Sequence, residues 1–156
     1  GPAALVNVLE SIHQGSSATQ ARLFDQSEIW YLKARLLGLT LDELGQLARD
    51  NAQYDVEVIR GLSLKSFRQL LRSTNDPANR YIANFDRAPL FGEDVGHHSP
   101  IGGYLEEHDL VFVLDVLDEY EPFLVPAKRL HESLDTIDSE SGRKRGLLLF
   151  KNVHLQ

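Results

Sequence analysis

The histidine and acid in this sequence best spaced for catalysis are His97 and Asp115. The stretches around them, His97 to Glu106 and Asp109 to Leu117, read as two strands joined by a turn at Glu106-Glu107-His108. An antiparallel hairpin pairs residues whose numbers have a constant sum, so this turn sets His97 against the neighbourhood of Asp115. The second strand carries Leu110-Val111-Phe112-Val113-Leu114, apolar on both faces, which places it inside a sheet and leaves the Asp115 carboxylate partly buried. A buried carboxylate requires a hydrogen-bonding or charged partner, and an imidazole is one. A histidine held in one tautomer by an acid is the base-and-orienter half of a nucleophilic site. On these two residues alone, satisfaction of local backbone groups is the simpler reading.

The other titratable residues are less suggestive. His98 should point to the opposite strand face from His97, which makes the two a poor chelating pair and His98 a solvated or core-lining side chain. His13, His108, His131 and His154 show no ligand spacing, so no metal site is expected. The chain has no cysteine, which excludes disulfides, thiolate metal sites and any thiol nucleophile among the printed residues. No cofactor is implied.

Several elements must position the pair. Leu5, Val8, Leu9 and Ile12 mark a helix from Pro2 to His13, followed by a polar loop from Gln14 to Gln20. A mixed segment runs to Leu37. Thr40 and Glu43 then form a capping box for a helix with a stripe of Leu41, Leu44, Leu47 and Ala48. A strand from Tyr54 to Ile59, a helix opening at Ser63 through Phe67, Leu70 and Leu71, and a strand from Arg80 to Phe85 follow. After the hairpin come a helix from Pro126 to about Leu134, a polar turn through Ser139 to Arg145 and a last strand from Leu147 to Phe150. Helices precede strands, an α+β order with an N-terminal helical part and a C-terminal antiparallel sheet.

The 156 residues suit a single domain covering the whole chain, and 42% hydrophobic with 25% charged is ordinary globular composition. A net charge of −7 repels a phosphate backbone, so nucleic acid is not an expected partner. No apolar run reaches the roughly 18–20 residues that cross a bilayer, and no signal peptide is evident. The chain opens on Gly1-Pro2 rather than Met, so upstream residues are expected and compartment is not legible. A soluble, cytoplasmic protein is the default expectation.

The strings Gly96-His97-His98-Ser99-Pro100-Ile101-Gly102-Gly103-Tyr104, Leu114-Asp115-Val116, Asp135-Thr136-Ile137-Asp138 and Gly142-Arg143-Lys144-Arg145-Gly146 resemble the core pattern of the phytochelatin synthases, the glutathione γ-glutamylcysteinyltransferases. Leu39 to Leu44 and Leu62 to Phe67 are similar to two further helices of that domain, so the resemblance spans nearly the whole chain. It implies a papain-like cysteine protease fold with a Cys-His-Asp triad, in which His97 is the base and Asp115 its orienter. Gly1-Pro2-Ala3-Ala4 resembles the continuation of the family's Cys-Gly-x-Ala motif, which implies a nucleophilic cysteine directly before Gly1. By the same resemblance Asp138 and Arg145 hold the γ-glutamyl head, an acid for its ammonium and a guanidinium for its carboxylate.

The implied reaction cleaves the Cys–Gly amide of glutathione, releases glycine and passes a γ-glutamylcysteinyl thioester to a second glutathione or to water. The chain resembles the shorter bacterial type, which implies that hydrolysis is favoured. The implied partner is glutathione or another γ-glutamyl peptide, with its metal thiolate and a homodimer left open. Two alternatives stand beside this reading: a papain-like peptidase with another peptide substrate, and a non-catalytic homologue without its nucleophile.

Overall fold

The leucine stripe near the start forms helix α1, Pro2–Ile12, which buries Leu5, Val8, Leu9 and Ile12. This computed structural model describes residues 1–12, 19–25, 27, 29, 31–51, 54–116 and 121–151. His13, most of the loop expected from Gln14 to Gln20, Leu117 and His154 lie outside the described residues.

The mixed segment that suggested no element contains a 3-10 turn at Arg22–Phe24 and helix α2, Tyr31–Leu36. Helical periodicity is hidden there because Leu32, Leu36 and Leu37 are exposed while Ala34 is buried. Helix α3, Leu41–Asn51, begins at the expected capping box. Thr40 Oγ1 accepts from the Glu43 amide at 3.3 Å, and Glu43 Oε2 accepts from the Thr40 amide at 3.0 Å. Strand β1, Asp55–Ile59, leads to helix α4, Leu64–Leu71, capped by Ser63.

Strand β2, Arg80–Asp86, is followed by a short helix α5, Ala88–Phe91, which sequence periodicity does not reveal. Strand β3, Gly96–Leu105, pairs with β4, Leu110–Val113, across the expected turn. The second arm is shorter than the expected Asp109 to Leu117: Asp115 lies beyond the strand, and one further bond, Leu114 N to Pro100 O at 2.9 Å, extends the ladder. Strand β5, Phe123–Pro126, was not expected, and helix α6, Ala127–Leu134, starts one residue after Pro126. Strand β6, Gly146–Lys151, returns to the middle of the sheet.

Among the described residues the sheet has six strands in the order β1-β6-β2-β3-β4-β5, with every pairing antiparallel. It therefore recruits β1 and β2 from the half that looked helical. Alternation along β2 and β6 explains the layering. Ile82, Leu148 and Phe150 face α1 and α3, whereas Tyr81, Ala83, Phe85, Leu147 and Leu149 join the core beneath α4 and α6. Covered on both faces, these strands read as continuous apolar runs.

The hairpin register is fixed from outside. An irregularity falls between Ile101 and Gly103, and a Cβ on Gly102 would lie 2.7 Å from the Phe112 ring, so only glycine fits there. Asn75 bonds both backbone groups of Tyr104, at 2.9 and 3.0 Å. Arg68 grips Asp109 through two nitrogens at 3.0 and 2.6 Å, and the Tyr104 hydroxyl donates to the same carboxylate at 2.8 Å. These contacts hold Asp109 at φ 53° and with it the offset between the arms that carry His97 and Asp115.

Candidate active site

The hairpin brings the two sequence-selected residues into contact. His97 Nε2 lies 3.0 Å from Asp115 Oδ1, with the His97 side chain 10% exposed and the Asp115 side chain fully buried. A carboxylate can only accept, so Nε2 carries the hydrogen of a neutral His97 and Nδ1 is the nitrogen that can take up a proton. The Phe85 ring meets the imidazole edge-on at 5.6 Å and restricts its rotation. Burial holds His97 below its ordinary titration range, against the opposing pull of Asp115 and reinforced by the nearby Arg87 cation.

Arg87 is a buried partner that the sequence did not disclose. Its Nη2 stands 3.3 Å from Asp115 Oδ2, its Nε 3.5 Å from Glu93, and its guanidinium 5.0 Å from the Phe91 ring centre. The local chain path explains the position. Helix α5 ends at Gly92 in a left-handed conformation, and the Arg87 amide then bonds Val95 O at 3.0 Å, folding the chain back to start β3. The base, its acid and this cation thus form one buried row.

His97 borders a cavity of about 300 Å3 together with Gly1, His98, Asp138 and Arg145. His97 and His98 alternate across β3 as expected, yet both line this space, which lies at the start of the strand beside Val95 and Gly96. Gly1 sits at the tip of α1, whose first internal bond runs from Leu5 N to Gly1 O at 3.2 Å. Earlier amides of that turn have no intrahelical acceptor, so the positive end of the helix faces the cavity and would favour a thiolate held there.

Asp138 and Arg145 are also brought together. Arg145 Nη1 stands 3.7 Å from Asp138 Oδ1, and both side chains are largely buried. Asp138 also supports its own turn, accepting from the Ser141 hydroxyl at 2.7 Å and from the Ser141 amide at 3.3 Å. Arg143 instead points outward to Asp42 at 2.8 Å. The guanidinium of Arg145 lies so close to Gly96 that a Cβ there would overlap it. Arg145 Nη1 also donates to Asn84 Oδ1 at 3.3 Å, and Asn84 Nδ2 lies 2.6 Å from His98 Nε2.

Arg87, Asn84 and Gly96 are thus site residues that sequence reasoning missed. Asn84 and Gly96 meet Arg145, and Arg87 meets Asp115, across long stretches of sequence, and no local pattern links them. His98 is buried rather than solvated. His131 Nε2 bonds Leu62 O at 2.7 Å and is structural. Among the described residues no three His, Cys, Asp or Glu side chains are grouped to hold a metal ion, and no helix is long and apolar enough to cross a membrane.

The architecture is a papain-like α+β fold. The solved peptidase domain of Streptococcus ComA, a bifunctional ABC transporter of a quorum-sensing pathway, matches with a TM-score of 0.60 at 17% identity, covering 98% of this chain and 90% of that one. The chain belongs to the phytochelatin synthase family, whose pattern matches residues 1–147. Glutathione gamma-glutamylcysteinyltransferase 3 of Lotus japonicus is 34% identical over 78% of this chain and 26% of its own length. The glutathione gamma-glutamylcysteinyltransferase of Schizosaccharomyces pombe is 32% identical over 76% of this chain and 29% of its own length. Glutathione gamma-glutamylcysteinyltransferase 2 of Arabidopsis thaliana reaches 41% over 53% of this chain and 18% of its own. The aligned part of this chain therefore corresponds to less than a third of each relative.

Proposed function

We propose that this chain carries the catalytic domain of a glutathione-cleaving γ-glutamylcysteinyltransferase, working through a cysteine thioester. The observation that carries this reading is the 3.0 Å His97–Asp115 pair, whose imidazole shares one cavity with the tip of α1, Asp138 and Arg145. The relatives named for this activity support it.

On this reading the attacking thiol is that of a cysteine before Gly1, as the resemblance of Gly1-Pro2-Ala3-Ala4 to the Cys-Gly-x-Ala motif implies. His97 Nδ1 takes its proton, and the thiolate attacks the carbonyl carbon of the Cys–Gly amide. When the tetrahedral intermediate collapses, the C–N bond breaks and His97 returns the proton to the departing glycine amine. The remaining thioester is opened by the α-amine of a second glutathione or by water, which His97 deprotonates in turn, and the thiol is restored. Asp115 holds His97 in the required tautomer throughout. Arg145 grips the α-carboxylate of the γ-glutamyl head, while Asp138 receives its ammonium. The substrate's own thiol takes no part in the attack, so a metal thiolate of glutathione is compatible with the same scheme.

The test is glycine release from glutathione by the protein extended upstream through its native residues, with α-linked Glu-Cys-Gly as comparison. Release from glutathione alone is the expected result. No glycine above the enzyme-free rate removes the proposal, and equal cleavage of both peptides removes the γ-glutamyl clamp in favour of a general peptidase.

A further inference from the structure

We propose that His98 is a second binding residue for the acyl head, neutral and protonated on Nδ1, donating that hydrogen to the carboxylate that Arg145 also holds. The assignment rests on the γ-glutamyl reading above and on a chain of hydrogen bonds whose directions are forced. Arg145 can only donate, so the Asn84 atom at 3.3 Å from Nη1 is the amide oxygen. The Asn84 amide nitrogen therefore faces His98 Nε2 at 2.6 Å, and Nε2 must accept. The hydrogen of His98 is then on Nδ1. A protonated imidazole would set donor against donor in this buried contact, where Asn84 is 2% and His98 6% exposed. Burial also holds His98 well below the ordinary histidine range.

Nδ1 looks toward the helix tip: a Cβ on Gly1 would lie 3.7 Å from it. Among the described residues no acceptor bonds Nδ1, and Arg145 Nε is buried without a hydrogen-bond partner. The imidazole of His98 and the guanidinium of Arg145 border one cavity with Gly1 at the positive tip of α1. Such a floor selects an acceptor, and an anionic carboxylate suits it best. Asn84 is then the positioning residue that locks both donors.

The test compares binding of γ-glutamylcysteine and of 4-aminobutyryl-cysteine, which lacks the α-carboxylate, to the full chain. His98→Phe should weaken γ-glutamylcysteine roughly 10- to 100-fold, the range for one hydrogen bond to a charged group, and leave the decarboxylated probe unchanged. His98→Asn, whose amide nitrogen overlays Nδ1, should recover most of the loss. Equal losses for both probes, or no loss, overturn the assignment of His98. Glycine release by the wild type tests the γ-glutamyl reading separately, so its survival beside a silent His98→Phe condemns His98 alone. Failure of the wild type to bind either probe ends both.

Discussion

Replacing Arg87 with methionine keeps much of the side-chain volume and removes the cation 3.3 Å from Asp115 Oδ2. At that distance and an effective dielectric of about 20, the attraction is about 5 kcal/mol. Arg87 is 2% exposed on its side chain and Asp115 is fully buried, so water cannot take over the lost role. Stranding one member of a buried pair costs about 3–5 kcal/mol, which for a chain of this length lowers Tm by roughly 10 °C and leaves a folded protein. Arg87 also depresses the His97 titration, so its loss should move the His97 limb of the glycine-release profile to higher pH. Urea unfolding at pH 7 and the pH profile of turnover measure the two effects. Adding Asp115→Asn should return part of the stability, because the second variant removes the buried charge that Arg87 had balanced. A loss below about 1 kcal/mol with an unmoved limb would refute the claim that Arg87 holds this acid.

Further outcomes follow from the same geometry. Asp115→Asn should preserve the fold and cut kcat by about three to four orders of magnitude, since an amide can turn a donor toward His97 and favour the wrong tautomer; steady-state kinetics with thermal melts check both. Gly96→Ala should displace the Arg145 guanidinium, raising KM for glutathione at least tenfold with under about 2 kcal/mol lost on unfolding, because the obstructed atoms end a flexible side chain. His97 and His98 both titrate below 6.5 in the folded chain, so the unfolded chain binds more protons as pH falls below that value. Stability present above pH 6.5 should therefore be lost toward pH 5, by up to about 1.4 kcal/mol per pH unit for each imidazole that stays neutral, and His98→Phe should flatten that slope in urea midpoints.

Much of the fold was legible because its signals are local. The stripe of α1, the Thr40 capping box and the Ser63 cap reproduce in the structure, since each is decided within a few residues. Helix α2 escaped because exposed leucines obscure its period, and β5 because four residues carry too little pattern. The arm after Leu110 seemed longer than it is, because apolar residues continue past the last paired position at Val113. The hairpin reading set His97 in the neighbourhood of Asp115, and the 3.0 Å contact falls there, made by Asp115 just beyond the last paired residue, Val113.

By itself the sequence determined the residue types, the hairpin that joins the base to its acid, and the motif strings of the family. Only the tertiary structure decided that Arg87 backs Asp115, that Gly96 makes room for Arg145, and that Asn84 ties Arg145 to His98. The reason is physical. Caps and turns are satisfied by neighbours along the chain, whereas a buried charge must find a partner wherever packing brings one, and no spacing rule records where that is.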